Sequence, residues 1–161
     1  MPSRRFIGID PGSKGCVACI KGDTISFYPL TGNVSTYQDC IDIISQIGIS
    51  TYVAVEDVHG LPGQSCTANT TFMKLAGMAE LVGWCLSTAG YMKVSPVTWK
   101  KHFGLTSKGL SKTERKHLSI DLAKKLYPSV ADQLTASRDG WAEALLIARY
   151  YQDVLYQQEL Q

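Results

Sequence analysis

The chain has 161 residues, 45% of them hydrophobic, and a formal net charge of +2. This length suits one domain of ordinary size, and the hydrophobic fraction excludes an intrinsically disordered chain. No stretch approaches the ~20 consecutive apolar residues of a membrane-spanning helix. We therefore expect a soluble protein with one domain, residues 1–161, and no membrane partner.

The first half of the chain predicts an antiparallel meander followed by a helix and a buried strand. Pro-Gly and Lys-Gly-Asp turns separate strands at about 5–10, 15–21 and 24–29. Residues 36–48 have the spacing of a helix. The segment TYVAVED, 51–57, is a continuous apolar run that ends in acids, which is typical of a strand covered on both faces.

The second half alternates helices with one further strand. The predicted elements are a helix at 67–89, a strand at 91–95, a short helix from Pro96, a helix from Ser111 that stops before Pro128, and a helix at about 138–157. Hairpin strands followed by alternating helices and strands predict an α/β fold. We expect a mixed five-stranded sheet with helices on both faces.

The predicted helix 67–89 is apolar nearly all round, and only Lys74 and Glu80 in it are charged. Such a helix must be covered on more than one side. We expect one side to pack on the sheet and the other to form a two-fold homodimer, although enclosure within one monomer would also satisfy the pattern. The residues predicted for the dimer interface are Phe72, Leu75, Met78, Ala79, Val82 and Leu86.

Positive charge is concentrated between Lys93 and Lys125, where nine basic residues face two acidic ones. The remainder has seven basic and twelve acidic residues. A solvated helix face could explain such a segment, but an anionic polymer is the sharper interpretation, because binding phosphates releases counterions. Trp99 and Phe103 lie within the segment as candidate stacking surfaces for bases.

The five cysteines do not predict a metal or disulfide framework. Cys16 and Cys19 form one C-x-x-C, but no second pair or nearby histidine completes a zinc site. Positions three apart in a strand also point to opposite faces. We expect reduced, packed thiols and no zinc.

Four acids form the candidate chemical site. Asp10 and Glu56 end two predicted strands, and parallel neighbours would bring both to one sheet edge. Asp139 and Glu143 are four apart in the last helix, on the stripe that continues as Ile147. Each acid alone could be a turn residue, a helix cap or an ion-pair partner. Together they predict an oxygen-lined site suited to Mg²⁺ or Mn²⁺, because a cation would offset their repulsion.

The sequence resembles the RuvC-type Holliday-junction resolvases of the RNase H-like nuclease superfamily. The matching segments are FIGIDPGS, VAVEDV and DGWAEALLIARY, in that order along the chain. VSPVTWKKHFGL, SKTERKHLSIDLAKKLYPS and AEALLIA are most similar to the plant-organelle and phage branch. The resemblance covers essentially the whole chain. It implies an RNase H-like fold and a homodimer that nicks opposed strands of a four-way DNA junction, with two Mg²⁺ ions per site that Mn²⁺ can replace.

The resemblance also implies residue roles. Asp10, Glu56 and Glu143 match the family's catalytic metal ligands, and Asp139 takes the fourth position although bacterial members space the last two acids by three. Lys112 matches a lysine near the scissile phosphate, with Lys108 or Lys116 as alternatives. The loop at 59–65 is placed to probe the junction centre. The residues expected to contact DNA are Lys14, Lys100, Lys101, Lys108, Lys112, Arg115, Lys116 and Arg138.

Three other functions are compatible with parts of the pattern. One is another RNase H-like nuclease that acts on RNA–DNA hybrids or flap DNA. A sugar-kinase-type phosphotransferase shares G-x-D-x-G but needs a second domain, and a binding-only junction protein would not need all four acids. We expect an intracellular location, in a bacterial or phage-infected cytoplasm, or in an organelle matrix if a targeting segment was removed.

Overall fold

A computed structural model describes residues 3–44, 49–60, 62–105 and 108–161. Its elements are β1 (Arg4–Asp10), β2 (Gly15–Lys21), β3 (Thr24–Leu30), α1 (Val34–Ile44), β4 (Ser50–Glu56), α2 (Cys66–Leu86), β5 (Gly90–Val94), α3 (Pro96–His102), α4 (Lys112–Leu126) and α5 (Asp139–Glu159). Two short 3-10 helices, Pro128–Gln133 and Ala136–Arg138, connect α4 to α5. The end of the predicted helix 36–48 and residue 61 of the loop 59–65 lie outside the described residues.

The strands form one mixed sheet in the order β3-β2-β1-β4-β5. The first three strands pair antiparallel, and β4 joins β1 and β5 in parallel. Parallel strands must be covered on both faces, which explains why β1 and β4 are buried along most of their length. The predicted α/β fold with a mixed five-stranded sheet is confirmed, and its arrangement is consistent with an RNase H-like sheet.

Strand alternation divides the core into two clusters. On one face, Phe6, Ala18 and Ala54 pack with the buried residues of α5 and with residues of α3 and α4. On the other face, Ile7 and Val53 pack with α1 and α2. Helices therefore cover both faces, as the sequence predicts. The side chains of β1 alternate between the two clusters. The same alternation determines toward which face of the sheet Asp10, the last residue of β1, points.

α5 lies very close to β1, and Gly8 makes this approach possible. A Cβ atom at Gly8 would collide with the backbone of Ala144 and Ala148. The small residues of AEALLIA therefore serve the contact between helix and sheet. Because this contact fixes the depth of α5, it also fixes where the acidic residues in its first turns lie.

α2 begins at an N-cap, because the Ser65 side chain accepts a hydrogen bond from the Ala68 amide. The buried residues of α2 are Leu75, Ala79, Val82, Gly83 and Leu86, and Ala79, Val82 and Leu86 among them pack in the core cluster that contains Ile7 and Val53 of the sheet. Leu75, Ala79, Val82 and Leu86, four of the six residues predicted for the dimer interface, are therefore buried within the monomer, and the predicted interface itself stays a prediction. Phe72 and Met78, the other two predicted residues, are half-buried.

The opposite side of α2 is apolar and exposed. Met73, Leu81 and Trp84 are 42%, 62% and 65% exposed, and the Trp84 ring packs edge-on against Tyr91, 5.3 Å away. Although α2 has 21 residues, no helix within the described ranges is long and apolar enough to cross a membrane. The helix thus has two apolar sides, of which the monomer covers one.

Candidate metal centre

Asp10 and Glu56 lie side by side at the ends of two parallel strands. Ile9 pairs with Val55 in the β1–β4 ladder, so the next residues of both strands are these two acids. Alternation turns both side chains toward the α5 face of the sheet. Glu56 is only 7% exposed, and Asp10 is half-buried at the sheet edge. Two carboxylates therefore converge in a poorly solvated place.

α5 brings a third carboxylate to this pair. The helix passes directly over Asp10 at Gly140, where a Cβ atom would lie 2.5 Å from the Lys14 carbonyl oxygen and 2.7 Å from Asp10 Oδ2. One turn further on, Glu143 points into the same space. One carboxylate oxygen from each of Asp10, Glu56 and Glu143 lies within 4.8 Å of the other two. The sequence analysis predicted all three members of this carboxylate cluster.

The surroundings of the carboxylate cluster disfavour the ionised form of its acids. Burial raises the pKa of Asp10 well above its usual value, and the charges of Glu143, Glu56 and Asp139 add to the rise. Burial also raises the pKa of Glu56, and Glu143 adds to it. Lys100 opposes the rise at both groups. Carboxylates that are crowded and desolvated in this way bind a proton or a cation more readily.

Two lysines partner the acids of α5. Lys100 Nζ lies 3.1 Å from Glu143 Oε1, and Lys116 Nζ lies 2.6 Å from Asp139 Oδ2. The hydrogen bond to Asp139 raises the pKa of Lys116. Asp139 is thus not part of the group of three carboxylates, although its charge reaches Asp10. Both lysines stand beside the site, on α3 and α4 respectively.

Trp99 has a role that the sequence analysis did not predict. Its side chain is fully buried, so its prediction as a stacking surface for bases was wrong. The indole Nε1–H donates a 2.9 Å hydrogen bond to Glu56 Oε1. A buried indole N–H needs a hydrogen-bond acceptor. This requirement is the signal from which a polar partner for Trp99 could have been predicted. The bond also opposes the rise in the pKa of Glu56 and fixes one oxygen of that carboxylate.

The remaining predicted DNA contacts lie around the site at different positions. Lys112 is the first residue of α4 and is exposed, whereas Lys116, one turn later, reaches the acids. The Arg138 guanidinium lies over the Trp141 ring at 4.6 Å. Lys101, Lys108 and Arg115 line a groove between α3 and α4, and Lys14 is exposed in the β1–β2 turn.

Comparisons with protein-family models and with curated proteins found no match to this chain. Cys16 and Cys19 point to opposite sheet faces, since they belong to different core clusters.

Proposed function

We propose that this protein is a metal-dependent endonuclease of the RNase H-like kind that resolves four-way DNA junctions. The observation that carries the proposal is the convergence of Asp10, Glu56 and Glu143, with one oxygen from each within 4.8 Å. Three desolvated carboxylates are a donor set that fits a hard divalent cation. The sequence resemblance to the RuvC-type resolvases specifies the reaction more narrowly.

Mg²⁺ is the proposed cofactor, two ions per site, and Mn²⁺ is expected to replace it. Asp10, Glu56 and Glu143 would hold the ions, and Asp139, one turn before Glu143, is the proposed fourth ligand. Bound divalent ions would supply an activated water and charge stabilisation at the phosphate. Trp99 keeps one oxygen of Glu56 in place, which leaves the other free for coordination.

Positively charged side chains beside the carboxylate cluster support a nucleic-acid substrate. Lys100 and Lys116 already contact acids of the site. Each lysine can exchange its carboxylate for a phosphate oxygen when the acids hold cations. The wider set of predicted DNA contacts on α3 and α4 would hold the backbone on either side. Lys116 is therefore a better placed candidate for the scissile phosphate than Lys112.

The exposed apolar side of α2 supports the proposed homodimer. Leu81 and Trp84 are both more than half exposed, on a helix whose opposite face is already packed. A two-fold axis near this side would pair α2 with its copy and provide two sites for two opposed strands. The proposed seam is thus the Met73–Leu81–Trp84 side and not the sheet-facing residues.

Cleavage of a synthetic four-way junction with labelled ends tests the function. The wild-type protein with Mg²⁺ is expected to make paired, symmetric nicks in the junction and to leave linear duplex intact. Asp10→Asn and Glu143→Gln should abolish cutting while junction binding persists. Asp23→Asn is the matched control, because Asp23 is an exposed acid in the β2–β3 turn, at the opposite end of β2 from the site.

The alternatives give different results in the same assay. Equal cutting of an RNA–DNA hybrid or a splayed flap would identify a less selective RNase H-like nuclease. Junction binding without metal-dependent cutting would leave a binding-only protein. Unchanged cutting by Asp10→Asn would refute the proposed role of the carboxylates.

A further inference from the structure

A groove between α3 and α4 is lined by both aliphatic and positively charged side chains. Its volume is about 540 Å³, within the range of about 300–1,000 Å³ that small-ligand pockets have. Its lining includes the cationic residues Lys100, Lys101, Lys108 and Arg115 and the aliphatic residues Val97, Leu105 and Leu118. None of the lining residues that the structure describes is acidic.

The groove adjoins the carboxylate cluster through one shared side chain. Lys100 lines the groove and also contacts Glu143 Oε1 at 3.1 Å. Its ammonium group lies 4.9 Å from the centre of the Trp99 ring, which in turn bonds Glu56. A ligand in the groove would therefore lie next to a phosphate held at the acids.

The aliphatic side chains in its lining distinguish this groove from an ordinary phosphate-binding surface. Val97 is 76% exposed, and Leu105 and Leu118 are half-exposed beside it. Phosphates need only the cations, whereas the aliphatic side chains beside them would suit an apolar ligand surface. The bases of duplex DNA are stacked within the helix, whereas an unpaired base offers its apolar face.

We propose that the groove between α3 and α4 receives an unpaired nucleotide of the strand whose phosphate lies at the carboxylate cluster. This inference rests on the proposed function and adds a requirement for local unpairing next to the cut. The base would lie over Val97 and Leu118, and Lys101 and Arg115 would contact the flanking phosphates. An acidic peptide would match the positive charge but would leave the aliphatic side chains without a partner.

Binding of a nine-nucleotide oligothymidylate and of its abasic counterpart tests the proposal. The two strands share their phosphates and differ only in the bases. Fluorescence anisotropy in Ca²⁺ buffer measures binding without relying on cleavage. Wild type should bind the base-bearing strand roughly fivefold to tenfold more tightly, because burial of the base surface adds to the phosphate contacts. Equal affinity for the two strands would overturn the proposal.

Val97→Ser should remove most of this preference and leave abasic binding unchanged. Val34→Ser is the matched control, since Val34 is 65% exposed at the start of α1 on the other side of the sheet. Lys101→Gln should weaken the binding of both strands to the same extent. Lys125 is an exposed lysine of α4 that does not line the groove, so Lys125→Gln should leave the affinity for both strands unchanged. Thermal melting verifies that each variant is folded.

Three results separate the possible failures. If Val97→Ser and Val34→Ser behave alike, the groove does not read bases and the inference is wrong, even if junctions are cut. Stronger competition by a nine-residue polyglutamate than by the base-bearing strand would replace the nucleotide with an acidic peptide partner. Intact base preference without any metal-dependent cutting would support the groove and refute the proposed nuclease activity.

Discussion

Replacing Trp99 with phenylalanine should weaken metal binding without unfolding the protein. The change removes the 2.9 Å hydrogen bond to Glu56 Oε1 and keeps an aromatic ring in the fully buried position. A hydrogen bond to a charged group contributes about 1.5–3 kcal/mol, and loss of a partner behind a metal ligand weakens affinity by about 10–100-fold. We expect Mn²⁺ binding by Trp99→Phe to fall about tenfold in calorimetric titration.

The pH dependence of Mn²⁺ binding provides a second test of the effect of Trp99→Phe. Because the indole bond lowers the pKa of Glu56 against the effect of burial, its loss should raise that pKa further. The metal requires the ionised carboxylate, so half-maximal binding should move to higher pH in Trp99→Phe.

A cavity elsewhere in the same core is the matched control for that experiment. Leu134 is fully buried in the α5-side core cluster, and Leu134→Ala should lower the melting temperature while Mn²⁺ affinity stays unchanged. Wild-type affinity in a folded Trp99→Phe protein would refute the positioning role of the indole. An equal loss of affinity in Leu134→Ala would show that general loosening of the core, and not the hydrogen bond, was responsible.

Three further predictions address the carboxylates, the helix–sheet contact and the α2 surface. In EDTA, Asp10→Asn should raise the melting temperature by roughly 2–4 °C at pH 7. The pKa of Asp10 is raised in the folded state, so its ionisation destabilises the fold as the pH rises above the usual pKa of 3.8. A difference in melting temperature between variant and wild type that is the same at pH 3 and pH 7 would contradict this. Gly8→Ala should destabilise the protein by about 3 kcal/mol or more in urea titration, because the added methyl group would meet the backbone of Ala144. An unfolding midpoint equal to that of the wild type would disprove the close contact. The wild type is expected to be a dimer in light scattering, and Leu81→Glu combined with Trp84→Glu should yield a folded monomer. Both side chains are exposed, so the charges would lie in the proposed interface and not in the core. A dimer in the double variant would show that the interface lies elsewhere.

The antiparallel meander of the first three strands and the three clustered acids were predictable because each depends on a local pattern. Turns with Gly and Pro separate the first strands, and strands that end in Asp10 and Glu56 place these acids at one edge once they pair in parallel. Glu143 follows from helical spacing. In these cases a short stretch of sequence determines which way the side chain points.

The face of α2 and the lysine register could not be predicted in the same way. α2 is apolar on both sides, so periodicity does not show which side meets the sheet; the packing of Ala79 and Val82 does. The choice of Lys116 over Lys112 depends on how α4 docks on α5, and both lysines fit the helix equally well. The bond from Trp99 to Glu56 joins residues 43 positions apart, and no local pattern encodes it.

The three clustered acids come from distant parts of the chain, and this has a consequence for folding. Asp10 and Glu56 belong to the sheet, whereas Glu143 arrives only when α5 docks over Gly8. A folding intermediate with a formed sheet but an undocked last helix would therefore hold two carboxylates and not three. Contacts of such long sequence separation tend to form late. The docking of one helix would then complete the core and the proposed metal site at the same time, so a partly folded chain would lack the third carboxylate of that site.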